Sequence, residues 1–264
     1  MGPPDIMRPL RLLALATVFA CLLAPLPLCA QQPAANFRVF AIAEPGGIHK
    51  PFVDAAKVWL TQEAQQDHFT VDYIEDTKPI DAAFLARYRV FIELNYPPYH
   101  WTPTAAAAFT SAIENGSIGW IGFHHAGLLG EFDGFPMWQW FSNFMGGIRW
   151  TNYIATFASA NVHIEDAQHP VMRGVPAVFP VRDEEWYTWD KSPRPNVHVL
   201  ATVDESSYTP DSKIKMGGDH PVVWTNEHVK ARNVYIFMGH HPDLFENTAF
   251  TTLFHNSILW TSGQ

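Results

Sequence analysis

Between Phe37 and His124 four short apolar runs alternate with three helix patterns, and this rhythm constrains the fold more than any other feature. Phe37–Ala43 is a short, partly β-branched run that ends in Glu44-Pro45-Gly46-Gly47, which predicts a buried strand and a Gly-rich loop. Pro51 opens a helix with Phe52, Ala55, Ala56, Trp59 and Leu60 at helical spacing, because Pro is tolerated in the first turn. Strands are expected over Thr70–Glu75, Arg89–Asn95 and Ile118–His124, with helices over Asp81–Tyr88 and from Thr102 to the stop at Asn115-Gly116. Strands separated by helices require right-handed crossovers and therefore a mainly parallel sheet. The second half is less regular, with strands expected near Val162–Glu165, Val197–Val203, Pro221–Trp224 and Val234–Met238 and a closing helix over Thr248–Trp260.

The first thirty residues read differently. Arg8 and Arg11 precede an apolar run from Leu12 to Leu23, then Pro25, Pro27 and the small Ala30, the order of a secretory signal peptide. Initiation at Met7 rather than Met1 would remove Asp5 from the part that should be positive. The apolar run is short for a bilayer span of about 20 residues and is broken by prolines, so no membrane span is expected after cleavage. Export to the periplasm or beyond is the expectation; lipid attachment through Cys29 is the alternative, against which stands the bulky Leu28 before it.

Both cysteines, Cys21 and Cys29, fall in this segment, so the mature chain has no thiol for a disulfide, a zinc–thiolate site or a nucleophile. Cleavage at residue 30 removes one acid and two bases from 26 and 17, leaving 25 and 15 and a formal charge of −10. Phosphate binding needs a basic face, so that balance argues against nucleic acid as partner. Residues 37–264 are expected to form one α/β domain, with neither a repeat nor a low-complexity linker to mark a second.

In open α/β sheets ligands bind beyond the carboxyl ends of the strands. Three such places carry histidine here: His49, His124-His125 and His240-His241. Gly122-Phe-His-His-Ala-Gly127 has small residues around His124, as a sharp strand-to-helix elbow requires, and a histidine there can ligate a metal or move a proton. Arg182-Asp-Glu-Glu-Trp-Tyr187 follows a strand-like segment and is either a solvated charge run or, given Trp186, Tyr187 and Trp189, a desolvated carboxylate in a sugar-sized aromatic pocket. Glu185 is the catalytic or ligating candidate of that segment, with Glu184, Trp186 and Tyr187 as substrate contacts. Gly239 permits close approach before His240, whereas His241, His169 and His220 are also explicable as turn residues beside proline. No short ligand spacing such as His-Glu-x-x-His occurs, so a divalent ion, zinc or similar, would need His49, His124, His240 and Glu185 to converge from separate loops. His125 and His241 then join the substrate-binding set.

In order, Gly122-Phe-His-His-Ala126, Trp138, Phe141–Gly147, His169-Pro170, Glu184-Glu-Trp-Tyr187, Pro221–Thr225, Gly239-His240 and Asn256–Trp260 resemble the trehalose-utilisation, or ThuA-like, family across the mature chain. The resemblance implies the class I glutamine amidotransferase-like, flavodoxin-like fold, a mainly parallel sheet with helices on both faces, without the amidotransferase cysteine. It also implies a role in catabolism of a disaccharide, a glycoside or a keto derivative, with a small carbohydrate as partner. By matching position, it carries over His49 after the first strand, His124 at the elbow, Glu185 in the acidic–aromatic motif and His240 in the Gly-His motif. Two stretches depart from the family pattern, Asn226–Asn233 before the late strand and Glu131–Pro136 beside the elbow. The expectation is an enzyme in which His124 and Glu185 act on the substrate; a non-catalytic sugar-binding module, with Trp101, Trp138, Trp186 and Trp189 stacking on sugar faces, is its rival. A cysteine-independent hydrolase lacks the Gly-x-Ser-x-Gly elbow it would need.

Overall fold

The expected alternation appears directly in the order of elements. In the computed structural model, which describes residues 1–2, 36–43 and 45–264, β1 (Phe37–Ala43), α1 (Lys50–Gln66), β2 (Phe69–Ile74), α2 (Ala82–Leu85), β3 (Val90–Leu94), α3 (Pro103–Asn115) and β4 (Gly119–Phe123) follow one another. The expected export segment, with Cys21 and Cys29, lies outside the described residues apart from Met1 and Gly2. Then come α4 (Gln139–Phe144), β5 (Trp150–Tyr153), β6 (Ala158–Ile164), β7 (Val178–Glu184), β8 (Tyr187–Trp189), β9 (His198–Thr209), β10 (Pro221–Thr225), β11 (Asn233–Ile236) and α5 (Thr248–Ser262). Ala34–Gln264 forms a single compact unit, and no described helix is long and apolar enough to cross a membrane.

Nine strands form one sheet in the order β2-β1-β3-β4-β11-β10-β9-β6-β7. From β2 to β11 every pairing is parallel, which is the flavodoxin-like order; β10, β9, β6 and β7 extend the sheet by antiparallel pairings. β1, β3 and β4 are buried almost throughout because helices cover both faces. On one face Trp59 of α1 stacks on Phe254 of α5 at 4.6 Å, and on the other Phe109 of α3 packs against Phe91 of β3 at 5.7 Å.

Local chemistry sets the helix ends. Thr102 Oγ1 accepts from the Ala105 amide at 3.3 Å, Pro103 occupies the first turn, and Gly116 closes α3 at φ +78°. Asn247 Oδ1 accepts from the Ala249 amide at 3.0 Å and so caps α5. The expected helix over Asp81–Tyr88 is shorter: Asp81 caps it, and the chain tightens into i→i+3 bonds at Arg87 and Tyr88 while the Tyr88 hydroxyl donates to Asp72 at 2.8 Å. β7 is the strand-like segment that leads into Arg182–Tyr187, whereas β5, β8 and α4 were not expected from the sequence pattern; β5 and β8 pair as a separate two-stranded ribbon.

The parallel register sets His124 beside Phe237, because Phe123 of β4 faces Ile236 of β11. His49 follows β1, Asn95 follows β3, His124 follows β4 and His240 follows β11, so all four lie at the carboxyl edge of the parallel strands.

Candidate metal centre

Four donors meet at this edge. A ligand atom from each of His49, His124, Glu185 and His240 lies within 4.8 Å of every other, and all four residues are buried. Glu185 Oε2 is 3.2 Å from His124 Nε2 and 3.9 Å from both His49 Nε2 and His240 Nδ1. His240 Nδ1 and His49 Nε2 are 2.9 Å apart.

His124 sits at the elbow expected from its flanking residues, but β4 turns there into a single 3₁₀ turn, His124–Gly127, rather than a full helix. Its φ is +35°, a conformation L-residues rarely adopt. Asn95, Phe157 and Asp183 also have positive φ, at +58°, +55° and +45°. All three adjoin the centre: Asn95 Nδ2 donates to the Gly239 carbonyl at 2.7 Å, the Phe157 ring lies 4.5 Å from that of His240, and Asp183 precedes the two glutamates. Such strain persists only where the surroundings impose it, and it gathers at functional sites.

The hydrogen bonds assign the tautomers. His124 Nδ1 faces the Phe237 carbonyl at 3.2 Å, so in the neutral ring that nitrogen carries the proton and Nε2 presents a lone pair to Glu185. Two acceptors face each other at 3.2 Å, an arrangement that needs a proton or a cation between them. His125 Nδ1 donates to the Asn95 carbonyl at 3.2 Å, which leaves its Nε2 as the acceptor.

Electrostatics favour the same donor set. Burial holds His124 at about 3 and, with His124 nearby, His240 at about 4; burial and the neighbouring rings also push His49 and His125 far below the usual histidine value. These rings are neutral at pH 7, the form that binds metals. Burial raises Glu185 despite the opposing influence of His240 and a side-chain hydrogen bond with Tyr187. Three nitrogens therefore fit zinc or a similar divalent ion, with the Glu185 carboxylate close enough to serve as a fourth ligand or as a base beside the ion.

The remaining residues singled out from sequence take different places. Glu184 is fully buried behind the centre rather than facing a ligand: Oε2 accepts from the Gly239 amide at 3.1 Å and the His240 amide at 3.4 Å, and Oε1 lies 3.6 Å from His124 Nδ1. Burial, opposed by those amides, raises it to about 8. Trp186 is 0% exposed, donates to the Ala158 carbonyl at 2.7 Å and stacks on Phe237, so it packs the core and cannot stack on a ligand. His241 packs on Phe157, and its Nε2 finds no hydrogen-bond partner among the described residues. His169 accepts from the Val171 amide in its turn, but His220 is no mere turn residue, being fully buried against Glu205 at 3.0 Å.

An open cavity of about 280 Å³ leads to the centre, lined by Ile48, His49, His125, Leu128, Trp150, Tyr153, Glu185 and Tyr187. Of the tryptophans expected to stack on a sugar, Trp101, Trp186 and Trp189 are buried, and Trp138 packs on Phe141 at 5.1 Å. Trp150 lines the cavity instead, and no local signal distinguishes it in sequence from the other nine.

Comparison with known proteins identifies the family and the fold. Residues 38–261 match the family model described as ThuA, trehalose utilisation. A ThuA-like protein from Bacteroides uniformis is 29% identical, with TM-score 0.77 over 87% of this chain and 92% of that one. A second, from Parabacteroides merdae, is 16% identical with TM-score 0.58, covering 86% of this chain and 90% of its own. A GMP synthase-type protein from Thermoplasma acidophilum, 8% identical at TM-score 0.51 over 86% and 94% of the two chains, shares the fold. No curated protein matches the chain.

Proposed function

Since the chain belongs to the ThuA, trehalose-utilisation family, we propose that it is an exported enzyme of carbohydrate catabolism whose buried histidines hold a divalent cation and whose Glu185 moves a proton on a disaccharide, a glycoside or its keto derivative. The observation that carries this reading is the convergence of His49, His124, His240 and Glu185 to within 4.8 Å. Export rests on the charged, apolar and small order of residues 8–30.

His49, His124 and His240 are the three nitrogen donors of this centre, and Glu185, which lines the cavity, faces the substrate. A divalent cation held there supplies a Lewis acid for a sugar carbonyl or hydroxyl oxygen. Glu185, raised by burial, is suited to accept the proton from the carbon next to a carbonyl while the C–H electron pair passes into the enediolate. Returning that proton to the former carbonyl carbon, while the hydroxyl proton shifts to the former carbonyl oxygen, isomerises the sugar; expulsion of a β-oxygen substituent, which takes up the proton held by Glu185, gives the unsaturated ketone instead. Tyr187 orients the carboxylate through its hydroxyl, and Leu128 and Trp150 keep the cavity partly dry.

The test is the metal content of mature protein purified without chelator or histidine tag, beside His124→Ala, His240→Ala and Glu185→Gln. Near-stoichiometric metal, lost in both histidine variants but kept in Glu185→Gln with loss of turnover on keto-sugars, is expected. Folded wild type without metal would move the reading to a sugar-binding module that uses Trp150, Tyr153 and Tyr187.

A further inference from the structure

A cavity of about 280 Å³ falls at the small end of ligand pockets, which span about 300–1,000 Å³, and suits one sugar ring. Aromatic rings continue outward from it. Tyr187, which touches the His124 ring at 4.5 Å, is followed by Trp150 at 6.2 Å, Phe132 at 5.5 Å from Trp150, and Tyr99 at 5.0 Å from Phe132. Phe135 ends the row 6.3 Å from Tyr99 and is 47% exposed, whereas Tyr187 at the inner end is 2% exposed.

The outer rings are held rigidly. Phe132-Asp-Gly-Phe135 is a two-residue hairpin: the Phe135 amide donates to the Phe132 carbonyl at 2.8 Å and the Phe132 amide to the Phe135 carbonyl at 3.3 Å. Asp133 and Gly134 have φ of +52° and +82°, the paired left-handed geometry of a type I′ turn, for which Asp-Gly is a preferred sequence. The hairpin places a large, half-exposed phenylalanine where it adds little to the core, and exposed acids flank it at Glu131 and Asp133.

We propose that Trp150, Phe132, Tyr99 and Phe135 form a second subsite, which receives the outer ring of a two-ring glycoside whose first ring occupies the metal-centre cavity. The inference rests on the carbohydrate reading above. A pyranose lays its C–H face on an aromatic ring and turns its hydroxyls to the rim, where Glu131, Asp133 and His100 are exposed. The row starts at Trp150, which also lines the cavity, so a second ring joined to the first meets the outer aromatics.

Calorimetric titration of the zinc-loaded mature protein with methyl α-glucoside, trehalose and 4-nitrophenyl glucoside tests this. Trehalose is expected to bind about tenfold more tightly than methyl α-glucoside, and Phe135→Ala and Tyr99→Ala to reduce that ratio several-fold while methyl α-glucoside affinity stays constant. An unchanged ratio in both variants, with both sugars bound, overturns the subsite and leaves the one-ring site standing. A preference for 4-nitrophenyl glucoside over trehalose overturns the assignment of a sugar as occupant. If none of the three binds wild type, the carbohydrate reading fails and the subsite with it.

Discussion

His49 Nε2 and His240 Nδ1 lie 2.9 Å apart although 191 residues separate them, and each ring is held neutral by burial. Between two neutral rings one of these nitrogens donates to the other, and a cation bound through both would require that proton to leave the contact. The contact marks the centre as a place where protons and a cation compete.

The pH dependence of that competition follows. An exposed histidine gains a proton near 6.5, but burial holds His240 at about 4 and His124 at about 3. Depressed histidines give stability that is present above 6.5 and lost as pH falls through their folded values, and the same neutrality keeps them available to metal. Zinc content is therefore expected to hold from pH 8 to about 5.5 and to fall below about 4.5. Elemental analysis after dialysis across this range decides; loss centred near 6.5 would mean that the rings are solvated.

Gly239 lies where a side chain would disturb the centre directly. A Cβ built there meets His124 Cβ at 2.8 Å and Asn95 Oδ1 at 3.2 Å. Gly239→Ala should move His124 by a few tenths of an ångström and weaken zinc binding about tenfold or more, with the fold retained. Competition with a chromophoric chelator reads the affinity, and circular dichroism the fold.

Phe157 separates strain from function. Its ring packs on His240 at 4.5 Å while its backbone has φ +55°. Phe157→Ala and Phe157→Gly both remove the ring, so both should loosen zinc binding alike. Glycine adopts this backbone freely, so the Gly variant should be more stable than the Ala variant by about 1 kcal/mol in urea unfolding. Equal stability would deny the strain, and unchanged affinity would deny the positioning role.

Glu205 offers a test away from the centre. Burial raises it, but the His220 ring and the Met216 and Gly218 amides outweigh burial and hold it at about 2. Its carboxylate accepts from the Gly217 and Gly218 amides at 3.0 and 2.8 Å and from His220 Nδ1 at 3.0 Å. A depressed carboxylate gives stability that is present above its ordinary value of 4.5 and lost as pH falls toward 2. Glu205→Gln should cost about 2–3 kcal/mol at pH 7 and much less at pH 3. A gap that does not narrow in acid would show that shape, not charge, makes the difference.

Much of this was legible from the chain. β1 to β4 and the helices between them follow from apolar runs bounded by Pro, Gly and Thr at positions where those residues have fixed backbone roles. The strand-end rule then points to His49, His124-His125 and His240-His241, three of which converge. β5 and β8 were missed because very short strands carry little periodicity: β5 is exposed at three of four positions and β8 has three residues. Trp186 and Trp150 could not be told apart, since burial depends on what packs across from a ring and not on the ring itself.

The sequence by itself determined the alternating α/β order, the absence of cysteine after residue 30 and the kinds of group at the strand ends. Tertiary structure decided which of those groups meet. Parallel pairing brings the ends of β1, β3, β4 and β11 to one edge, and the left-handed turn at Asp183 delivers Glu185 to them while Glu184 is buried behind. Neighbouring glutamates thus take different places for a reason no local pattern encodes: one side chain meets backbone amides and the other meets three imidazoles.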